Sequence, residues 1–348
     1  MRALTISEHG DLDRVQYRTD LPVPEPGQGE VRVRVLSAAL NHLDLWVVRG
    51  LPGVTIRPPW IMGADGAGVL DAVGPNAADT TPPKGTTVLI NPGISDRTCE
   101  FCRRGEHSLC IRFGLLGEHH PGTFAEYAIV PATNVRAVPQ GITPDQAAAF
   151  TLVTLTAWRM VVTRADVQPG ETVLIQGIGG GVALAALAIA KLRSAHVWVT
   201  SRDDAKLAHA RALGAEETFN STRVDVAKEV RARTGKRGVE VVLDSVGPAT
   251  WDHSIGSLMK GGRLVTCGAT TGPVVETDVR RLFWNQFDIL GSTMGNDTEL
   301  DAIVAELGSG RLQVPIDTVF PLEQGRVALK RLADREQFGK IVLRVAES

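Results

Sequence analysis

A glycine cluster flanked by a short apolar run and an Ala/Leu-rich run constrains this chain more than any other feature. Residues 172–175 are apolar or β-branched and lead through Gln176 to the glycines, and the run after the glycines continues to Leu192. The glycines between them are Gly177, Gly179, Gly180 and Gly181. This order predicts a strand, a tight turn and a helix. Glycine lets backbone approach a pyrophosphate, and the N–H groups and dipole of the helix start favour negative charge. We therefore interpret the segment as a dinucleotide cradle.

The spacing of these glycines departs from the usual G-x-G-x-x-G pattern. That pattern requires glycine where this chain has Val182, so we read a loop one residue longer that ends at Ala183. Residues 196–200 form a second strand-like run about one helix later, which completes a βαβ unit. Its end should lie beside the adenosine ribose. A glycine-rich turn in some other α/β protein is the alternative interpretation.

The residues after this second strand favour NADP(H) over NAD(H). A carboxylate is expected there for NAD, whereas the chain has Ser201 and Arg202. An acidic side chain would repel a 2′-phosphate, and a guanidinium can bind it with two hydrogen bonds. Two alternatives stay open: Arg202 is a solvated loop residue, or the nearby Asp203 serves a ribose.

Length and composition indicate a globular protein with two cores. The chain has 348 residues, of which 43% are hydrophobic. Its formal charge of −2 gives no electrostatic reason to expect a nucleic acid or a membrane surface as partner, so we expect a small-molecule substrate. The first residues read as a strand rather than a secretory signal, and we expect a soluble, cytoplasmic protein.

The pattern of the chain changes near residue 150. Residues 1–150 carry short alternating runs such as Val31–Val35, separated by Gly and Pro, and predict a β-rich, barrel-like domain. Further strand-like runs in this part are 67–73, 87–90 and 127–130. Residues 151–295 alternate strand-like runs with helical stretches, which predicts a doubly wound parallel sheet. The strand-like runs are 172–176, 196–200, 239–244, 263–267 and 288–292, and the helical stretches include 205–213 and 224–233. Residues 296–348 add two helical segments and a terminal strand.

Several motifs together resemble the medium-chain dehydrogenase/reductase superfamily, which contains zinc alcohol dehydrogenases and quinone reductases. Besides the glycine loop, these motifs are Ala39–Trp46, Gly63–Gly68, Cys99–Cys102, Leu155–Trp158, Leu213–Ala215, Asp244–Gly247 and Gly339–Val342. The resemblance covers nearly the whole chain. It implies a GroES-like catalytic domain (1–150 and 296–348) and a Rossmann domain (151–295), with the active site in the cleft between them. It also implies a homodimer or homotetramer, with residues 288–292 as a candidate edge strand, and it places Val246 among the cofactor-binding residues.

The resemblance bears directly on catalytic zinc. Zinc-dependent members bind the metal through a Cys, the His and Glu of Gly-His-Glu, and in some members a later Cys. This chain has Asn41, Ala64, Asp65 and Leu152 in those places. The soft thiolate and the imidazole that hold tetrahedral zinc are both missing, so we expect no catalytic zinc. An unorthodox metal held by His42, Asp44 and Asp65 is the alternative.

Without this Lewis acid, the expected reaction changes. Zinc-free relatives of this pattern reduce quinones or activated C=C bonds, in which conjugation spreads the charge. Asn41 is a candidate hydrogen-bond donor, Asp44 a candidate orienting or proton-relay group, and Asp65 a further candidate catalytic residue. The resemblance places Thr156 near the nicotinamide. Each has a structural alternative: Asn41 and Asp44 satisfy backbone groups between a strand and a helix, and Thr156 is a buried helix residue.

A second, structural metal site is predicted from the spacing D-x2-C-x2-C-x7-C. The residues are Asp96, Cys99, Cys102 and Cys110, and the superfamily has Cys at all four positions. Three thiolates at this spacing, in a reducing compartment, favour zinc, and a carboxylate can be its fourth ligand. The alternative is an empty lobe in which Asp96 caps the next turn.

The sequence thus predicts an NADPH-dependent oxidoreductase that passes hydride to a quinone or an α,β-unsaturated carbonyl without catalytic zinc. An alcohol or aldehyde dehydrogenase that works without the usual zinc is the nearest alternative. A nucleotide-binding protein without turnover is a third hypothesis.

Overall fold

Short strands dominate the first part of the chain, and strands alternate with helices in the middle part, as the residue patterns predict. The computed structural model describes residues 1–77, 79 and 81–346. The strands are β1 (Ala3–Ile6), β2 (Gln16–Arg18), β3 (Glu30–Ala39), β4 (Trp60–Ile61), β5 (Asp65–Val73), β6 (Thr87–Ile90), β7 (Gly93–Ile94), β8 (Gly114–Leu115), β9 (Tyr127–Pro131), β10 (Val135–Ala137), β11 (Thr172–Ile175), β12 (His196–Ser201), β13 (Glu217–Asn220), β14 (Val239–Asp244), β15 (Leu258–Thr266), β16 (Asp288–Gly291), β17 (Ile316–Pro321) and β18 (Lys340–Arg344).

The α-helices are α1 (His42–Arg49), α2 (Glu100–Arg103), α3 (Pro144–Trp158), α4 (Gly181–Leu192), α5 (Asp204–Ala212), α6 (Val226–Arg233), α7 (Trp251–Ser257), α8 (Val279–Asn285), α9 (Asp297–Gly308) and α10 (Gly325–Ala333). Short 3-10 turns cover Leu12–Arg14, His107–Leu109, Ala132–Asn134 and Leu322–Gln324, and a π-helical stretch covers Arg159–Arg164. Within the described residues, no helix combines the length and the apolar character that crossing a bilayer requires.

The chain divides into two units. Unit 1 comprises Met1–Leu152 and Gly295–Ser348, and unit 2 comprises Val153–Met294. In unit 1, β10, β6, β5, β3, β18 and β17 lie side by side in this order, and β9 also pairs with β3. The alternation in β3 buries Val31, Val33 and Val35, while Arg32 reaches Asp71 at 2.7 Å. The last strand, β18, pairs antiparallel with β3, so residues from the final part of the chain complete the sheet that β3, β5, β6, β9 and β10 form.

Unit 2 contains the predicted doubly wound parallel sheet. Its strand order is β13-β12-β11-β14-β15-β16, and every neighbouring pair is parallel. The central strand β14 is buried along its whole length, as expected for a strand with both faces covered. The order reverses between β11 and β14, and open α/β sheets bind ligands at the carboxyl ends of the strands at such a point. The loops after β11 and β14 therefore mark the expected ligand edge.

Some elements differ from the sequence-based expectation for local reasons. The strand expected at 263–267 begins five residues earlier, as β15. The helix expected from Val224 begins at Val226 because the Asp225 carboxylate accepts a hydrogen bond from Lys228 N at 3.1 Å and caps it. Strand β13 carries the polar sequence Glu-Thr-Phe-Asn and therefore gave little pattern to detect.

Candidate functional site

Three elements of unit 1 bring polar side chains to one place in the core. Strand β3 lies between β5 and β18 and runs antiparallel to both, with Ala39 opposite Asp65 in β5 and opposite Val342 in β18. The carboxyl end of β3 therefore meets the starts of the other two strands. Asn41 follows β3, Asp65 opens β5 and Lys340 opens β18. The sheet register thus determines which side chains converge there.

These three side chains form a buried hydrogen-bonded cluster around one ion pair, that of Asp65 and Lys340. Lys340 Nζ donates to Asn41 Oδ1 at 2.6 Å and to Asp65 Oδ2 at 2.9 Å. Asn41 Nδ2 donates to the same Asp65 oxygen at 2.9 Å and to Ala39 O at a longer 3.4 Å. The relative exposure of Lys340 is 2% and that of Asp65 is 0%. A charge so deeply buried requires a partner, and each of these two charges has the other.

The remaining oxygen of Asp65 is also engaged. Asp65 Oδ1 accepts the backbone N–H of Leu152 at 2.9 Å. Asn41, Asp65 and the backbone of Leu152, which the resemblance sets in place of zinc ligands, therefore do come together. The groups that they bring together are an amide, a carboxylate already paired with an ammonium, and a main-chain N–H, which cannot bind a metal. This set lacks the imidazole and thiolate that hold zinc, and its only carboxylate already has a cation, so it does not fit a tetrahedral zinc ion.

Asp44 and His42 lie in the first turn of α1 beside this cluster. The Asp44 carboxylate accepts Asn41 N–H at 2.7 Å, which is the side-chain half of a capping box. Burial raises the pKa of Asp44 to about 7, although this hydrogen bond and the Lys340 charge act in the opposite direction. Burial, together with the positive charges of Arg335, Arg49 and Lys340, lowers the pKa of the partly buried His42 to about 4. His42 is therefore neutral near pH 7.

Thr156 belongs to unit 2 and lies near the end of α3. Its side chain is buried, and its hydroxyl contacts Met294 Sδ at 3.5 Å. Both features agree with the structural alternative of a buried helix residue. A role for Thr156 next to a nicotinamide stays a prediction.

The glycine loop after β11 has the geometry that close approach of a ligand requires. Gly177 and Gly179 have φ values of 70° and 121°, which favour glycine. Gly180 is the N-cap of α4, and Gly181 and Val182 form its first turn. The first N–H groups of a helix have no intrahelical acceptor, so this turn offers donors to an anion. A Cβ atom on Gly177 would lie 3.0 Å from Val246 Cγ2, so the loop after β14 contacts the glycine loop.

The end of β12 presents the residues that should distinguish NADP from NAD. Ser201 is buried and its hydroxyl accepts Asp203 N–H at 3.2 Å, while Arg202 is exposed. Asp203 is the N-cap of α5 and accepts Ala205 N–H at 2.8 Å, so its carboxylate has a structural role. Lys206, one turn further along α5, lies over the glycine loop. A Cβ atom on Gly179 would be 2.9 Å from Lys206 Cδ and 3.7 Å from its Nζ.

The predicted metal ligands of unit 1 form one cluster. Within the described residues, one ligand atom from each of Asp96, Cys99, Cys102 and Cys110 lies within 4.8 Å of the others. The sulfur atoms of Cys99 and Cys102 are 3.6 Å apart, close to the edge of a tetrahedron with metal–sulfur bonds of about 2.3 Å. The N–H groups of Asp96 and Arg112 point at Cys110 Sγ from 3.2 and 3.3 Å and would stabilise its thiolate. This donor set fits zinc.

Asp96 combines two features that the sequence left as alternatives. Its Oδ1 accepts the N–H groups of Thr98 and Cys99 at 2.8 and 2.9 Å, and these bonds hold the pKa of the carboxyl well below its usual range. The residue therefore caps the following turn and also stands within the ligand cluster. The lobe is tied to the start of α9 by an ion pair between Arg97 and Asp297.

Sequence reasoning missed two basic residues at these sites. Lys340 had a detectable signal, because a lone lysine that opens an otherwise apolar strand must find a buried acceptor. Lys206 had none, since its position on α5 places it on the exposed side of an ordinary amphipathic helix. Its approach to Gly179 depends on the packing of α5 against the sheet.

A dinucleotide cradle at the switch point of a parallel sheet, together with a GroES-like unit that carries a cysteine lobe, defines an NAD(P)-dependent oxidoreductase. Residues 27–140 match the alcohol dehydrogenase GroES-like domain, and residues 181–309 match the zinc-binding dehydrogenase family. The chain belongs to the medium-chain dehydrogenase/reductase superfamily.

Similar proteins include enzymes with different reactions. A crystal structure of an NAD-dependent alcohol dehydrogenase is 42% identical, with a TM-score of 0.95 over 99% of this chain and 100% of the other. The acryloyl-coenzyme A reductase of Metallosphaera sedula is 29% identical over 99% of both chains. Human quinone oxidoreductase is 26% identical over 93% of this chain and 91% of its own length.

Proposed function

We propose that this protein is an NADPH-dependent reductase that transfers hydride to a quinone or an α,β-unsaturated carbonyl without catalytic zinc. The observation that carries the proposal is the buried pair of Asp65 and Lys340, 2.9 Å apart. An ammonium group already balances the carboxylate that would face a metal, and its hydrogen-bond partners are an amide, an ammonium and a backbone N–H rather than a thiolate or an imidazole. A quinone oxidoreductase and an acryloyl-coenzyme A reductase among the relatives support the same substrate class.

Conjugated acceptors suit a site of this composition. When bound, NADPH supplies a hydride. In an enone the hydride adds to the β-carbon, the C=C electron pair moves toward the carbonyl oxygen, and a proton then completes the α-carbon. The overall change is one C=C bond reduced, with NADPH and one proton consumed. Because conjugation spreads the charge, hydrogen-bond donors can stabilise the oxygen without a Lewis acid.

Asn41 is the candidate donor to that oxygen. One of its amide hydrogens is held by Asp65 at 2.9 Å, and the other makes the weaker 3.4 Å contact with Ala39 O. A substrate oxygen can replace the weaker contact without breaking the ion pair. Lys340 polarises the amide because it donates to Asn41 Oδ1. In this proposal Asp65 and Lys340 hold Asn41 in place, Asp44 fixes the backbone at residue 41, and Thr156 lies beside the nicotinamide.

The cofactor proposed is NADPH. Arg202 is exposed at the end of β12, Lys206 lies over Gly179, and the Asp203 carboxylate is engaged as a helix cap. These two cations favour a 2′-phosphate over a bare ribose. The pyrophosphate would bind the first turn of α4, and Val246 would line the same path. We also propose that Asp96, Cys99, Cys102 and Cys110 bind a structural zinc ion.

We propose a homo-oligomer as the functional assembly. Strand β16 is an edge of the parallel sheet, and the adjacent helix α8 exposes large apolar side chains. Trp284 is 74% exposed, Val279 64% and Phe283 63%. An unpaired edge beside an apolar surface favours pairing with another chain, and a second copy supplies an identical edge.

The function is tested by following NADPH oxidation with a quinone, a 2-alkenal and the matching saturated aldehyde, each with and without added zinc. The proposal expects consumption of the conjugated acceptors, no effect of zinc, and a preference for NADPH over NADH. The 42% identity to an NAD-dependent alcohol dehydrogenase favours a second candidate, an alcohol or aldehyde dehydrogenase. Turnover of the saturated aldehyde with NADH would support that candidate. Tight NADPH binding with no turnover of any acceptor would instead indicate a protein that only binds the nucleotide.

A further inference from the structure

A chain of buried polar side chains runs beneath the dinucleotide cradle of unit 2. Its members are Asp244, Ser254, Gln176 and Thr200, whose relative exposures are 0%, 0%, 1% and 2%. Asp244 lies in β14, Thr200 in β12 and Ser254 in α7, and Gln176 directly follows β11. Four buried polar side chains in a core of apolar strands require hydrogen-bond partners, and these four provide them for one another.

The hydrogen bonds lead from the glycine loop to the carboxylate. Gly177 N donates to Thr200 Oγ1 at 3.0 Å, and Thr200 Oγ1 donates to Gln176 Oε1 at 2.7 Å. Gln176 Nε2 then donates to Ser254 Oγ at 3.0 Å, and Ser254 Oγ donates to Asp244 Oδ2 at 2.7 Å. The path is continuous, and every link has ordinary hydrogen-bond length.

The carboxylate of Asp244 fixes the direction of every bond in this chain. An ionised carboxylate only accepts, so the hydroxyl proton of Ser254 must point to Asp244. Ser254 Oγ must then accept from the Gln176 amide nitrogen, which turns the amide oxygen of Gln176 toward Thr200. The Thr200 hydroxyl donates its proton to that oxygen, so its own oxygen can only accept, and it accepts the N–H of Gly177. Reversal at any one link would place two donors or two acceptors face to face.

Asp244 also holds the loop after β14. Its Oδ1 accepts the N–H groups of Val246 and Gly247 at 2.8 and 3.1 Å, and its Oδ2 accepts the Thr250 hydroxyl at 2.7 Å. One buried carboxylate therefore orients the Val246 loop directly and the Gly177 turn through three other side chains. These two loops flank the switch point of the sheet and contact each other through Gly177 and Val246.

We infer that Asp244 is a positioning residue for dinucleotide binding: its carboxylate sets the hydrogen-bond direction that holds both loops of the cradle. It is not a catalytic residue, because its buried carboxylate bonds to the loops and to side chains beneath them and would not itself touch the dinucleotide. The inference rests on the proposed NADPH binding. Since a preorganised loop loses less freedom when the ligand binds, breaking the chain should weaken cofactor affinity more than it weakens catalysis.

The test measures NADPH affinity by titration calorimetry on the full-length protein, with variants in matched pairs. Thr200→Val keeps the volume and removes the hydroxyl, whereas Thr200→Ser keeps the hydroxyl and removes a methyl group. Ser254→Ala breaks the chain on α7. Ser257→Ala is its control on the same helix, since Ser257 is equally buried but donates only to His253 O at 2.7 Å.

We expect the dissociation constant for NADPH to rise about tenfold or more in Thr200→Val, Ser254→Ala and Asp244→Asn, because each variant breaks a buried hydrogen bond of the chain. Thr200→Ser and Ser257→Ala should stay within about threefold of wild type. The KM for NADPH should rise with the dissociation constant, while kcat at saturating NADPH stays within about twofold. A role in packing alone predicts the opposite order for Thr200, since Ser leaves a cavity and Val does not.

Two results would overturn the inference, and they are distinguishable. If the wild-type protein binds NADPH and Ser254→Ala binds it as tightly as Ser257→Ala does, the positioning role is wrong and the proposed function stands. If the wild-type protein binds no dinucleotide, both are wrong. Thr200→Val and Ser254→Ala interrupt different links, so one folded variant of the two is enough for the comparison.

Discussion

At the scale of single residues, Lys340 determines what the polar cluster of unit 1 can do. It supplies a positive charge next to Asp65 in a region with almost no exposure to water. Such a pair is costly to break, because removal of one partner leaves the other charge buried and unpaired. It also gives Asn41 a fixed orientation, since Asn41 accepts from Lys340 and donates to Asp65.

The first prediction concerns this ion pair. Lys340→Met should lower the free energy of unfolding by about 3–5 kcal/mol, because Asp65 is left as an unpaired buried charge. Adding Asp65→Asn to Lys340→Met should restore part of the loss. Urea unfolding measures both. The control is Lys330→Met, which removes a lysine whose side chain is 70% exposed and paired with Asp334, and which should change stability far less because water screens an exposed pair. Equal losses in Lys340→Met and in the double variant would contradict this account of the pair.

The second prediction concerns pH. The folded-state pKa of Asp44 is raised to about 7, above its ordinary value of 3.8, so the folded protein holds this proton longer than the unfolded chain does. The stability that the raised pKa of Asp44 contributes is fully present at pH values below 3.8, and it is lost as the pH rises from there through about 7. Asp44→Asn keeps an acceptor for Asn41 N–H and does not titrate. Relative to this variant, the wild-type protein should lose stability between about pH 4 and pH 8, by about 1.4 kcal/mol per unit of pKa displacement.

Urea unfolding of both proteins across this range provides the measurement. His42 titrates in the opposite direction, because its lowered pKa favours the folded state above its ordinary value, but it is present in both proteins and cancels in the difference. If the difference in the free energy of unfolding between wild type and Asp44→Asn does not change with pH, the pKa of the Asp44 carboxyl is not raised by folding.

At the scale of elements, the cysteine lobe shows how a short loop prepares a metal site. The turn after Asp96 is held by backbone N–H groups, and Arg97 adopts a left-handed conformation with φ of 59°. This conformation places Arg97 beside Asp297 at the start of α9 while Asp96 stays near the three sulfur atoms. The lobe is therefore anchored at its metal ligands and at one helix.

The third prediction concerns this lobe. The purified protein should retain about one equivalent of zinc after dialysis, since the site has four ligands. Asp96→Cys should hold the metal against stronger chelators because a thiolate is a softer ligand than a carboxylate, and Cys110→Ser should lose it first. Zinc is measured by elemental analysis across a chelator series. Less than about a tenth of an equivalent in the wild-type protein would contradict the site.

The elements also show how far the sequence predicts this fold. Strands β6 and β14 have the predicted bounds, because short runs rich in β-branched and apolar residues, ended by turn residues, leave one interpretation. The sequence did not predict helices α7 and α8. Gly and Ser interrupt the helical pattern of α7, and in α8 the exposed aromatic residues obscure the distinction between a buried and an exposed face. At the site, the sequence predicted that Asn41 and Asp65 matter but not that Lys340 joins them. That contact joins residues about 300 positions apart and depends on β18 pairing with β3.

At the scale of the whole molecule, the exposed apolar residues of α8 beside the sheet edge predict self-association. The fourth prediction is that Phe283→Lys combined with Trp284→Lys shifts the protein to a smaller species, because charge on this surface opposes its burial against a second copy. Sedimentation velocity measures the change. Val327→Lys is the control, since Val327 is 58% exposed on α10 in unit 1. An unchanged sedimentation coefficient in the double variant would exclude this surface as the interface.

The position of the transferred hydrogen in the product decides whether the protein acts as a conjugate reductase. NADPH deuterated at the transferred position of its nicotinamide is incubated with the protein and a 2-alkenal, and the product is analysed by NMR. The account predicts a saturated aldehyde with deuterium on the β-carbon, because the hydride adds to the C=C bond and no metal polarises the carbonyl. An allylic alcohol with deuterium on the carbonyl carbon would contradict it and would show that the enzyme reduces the carbonyl itself.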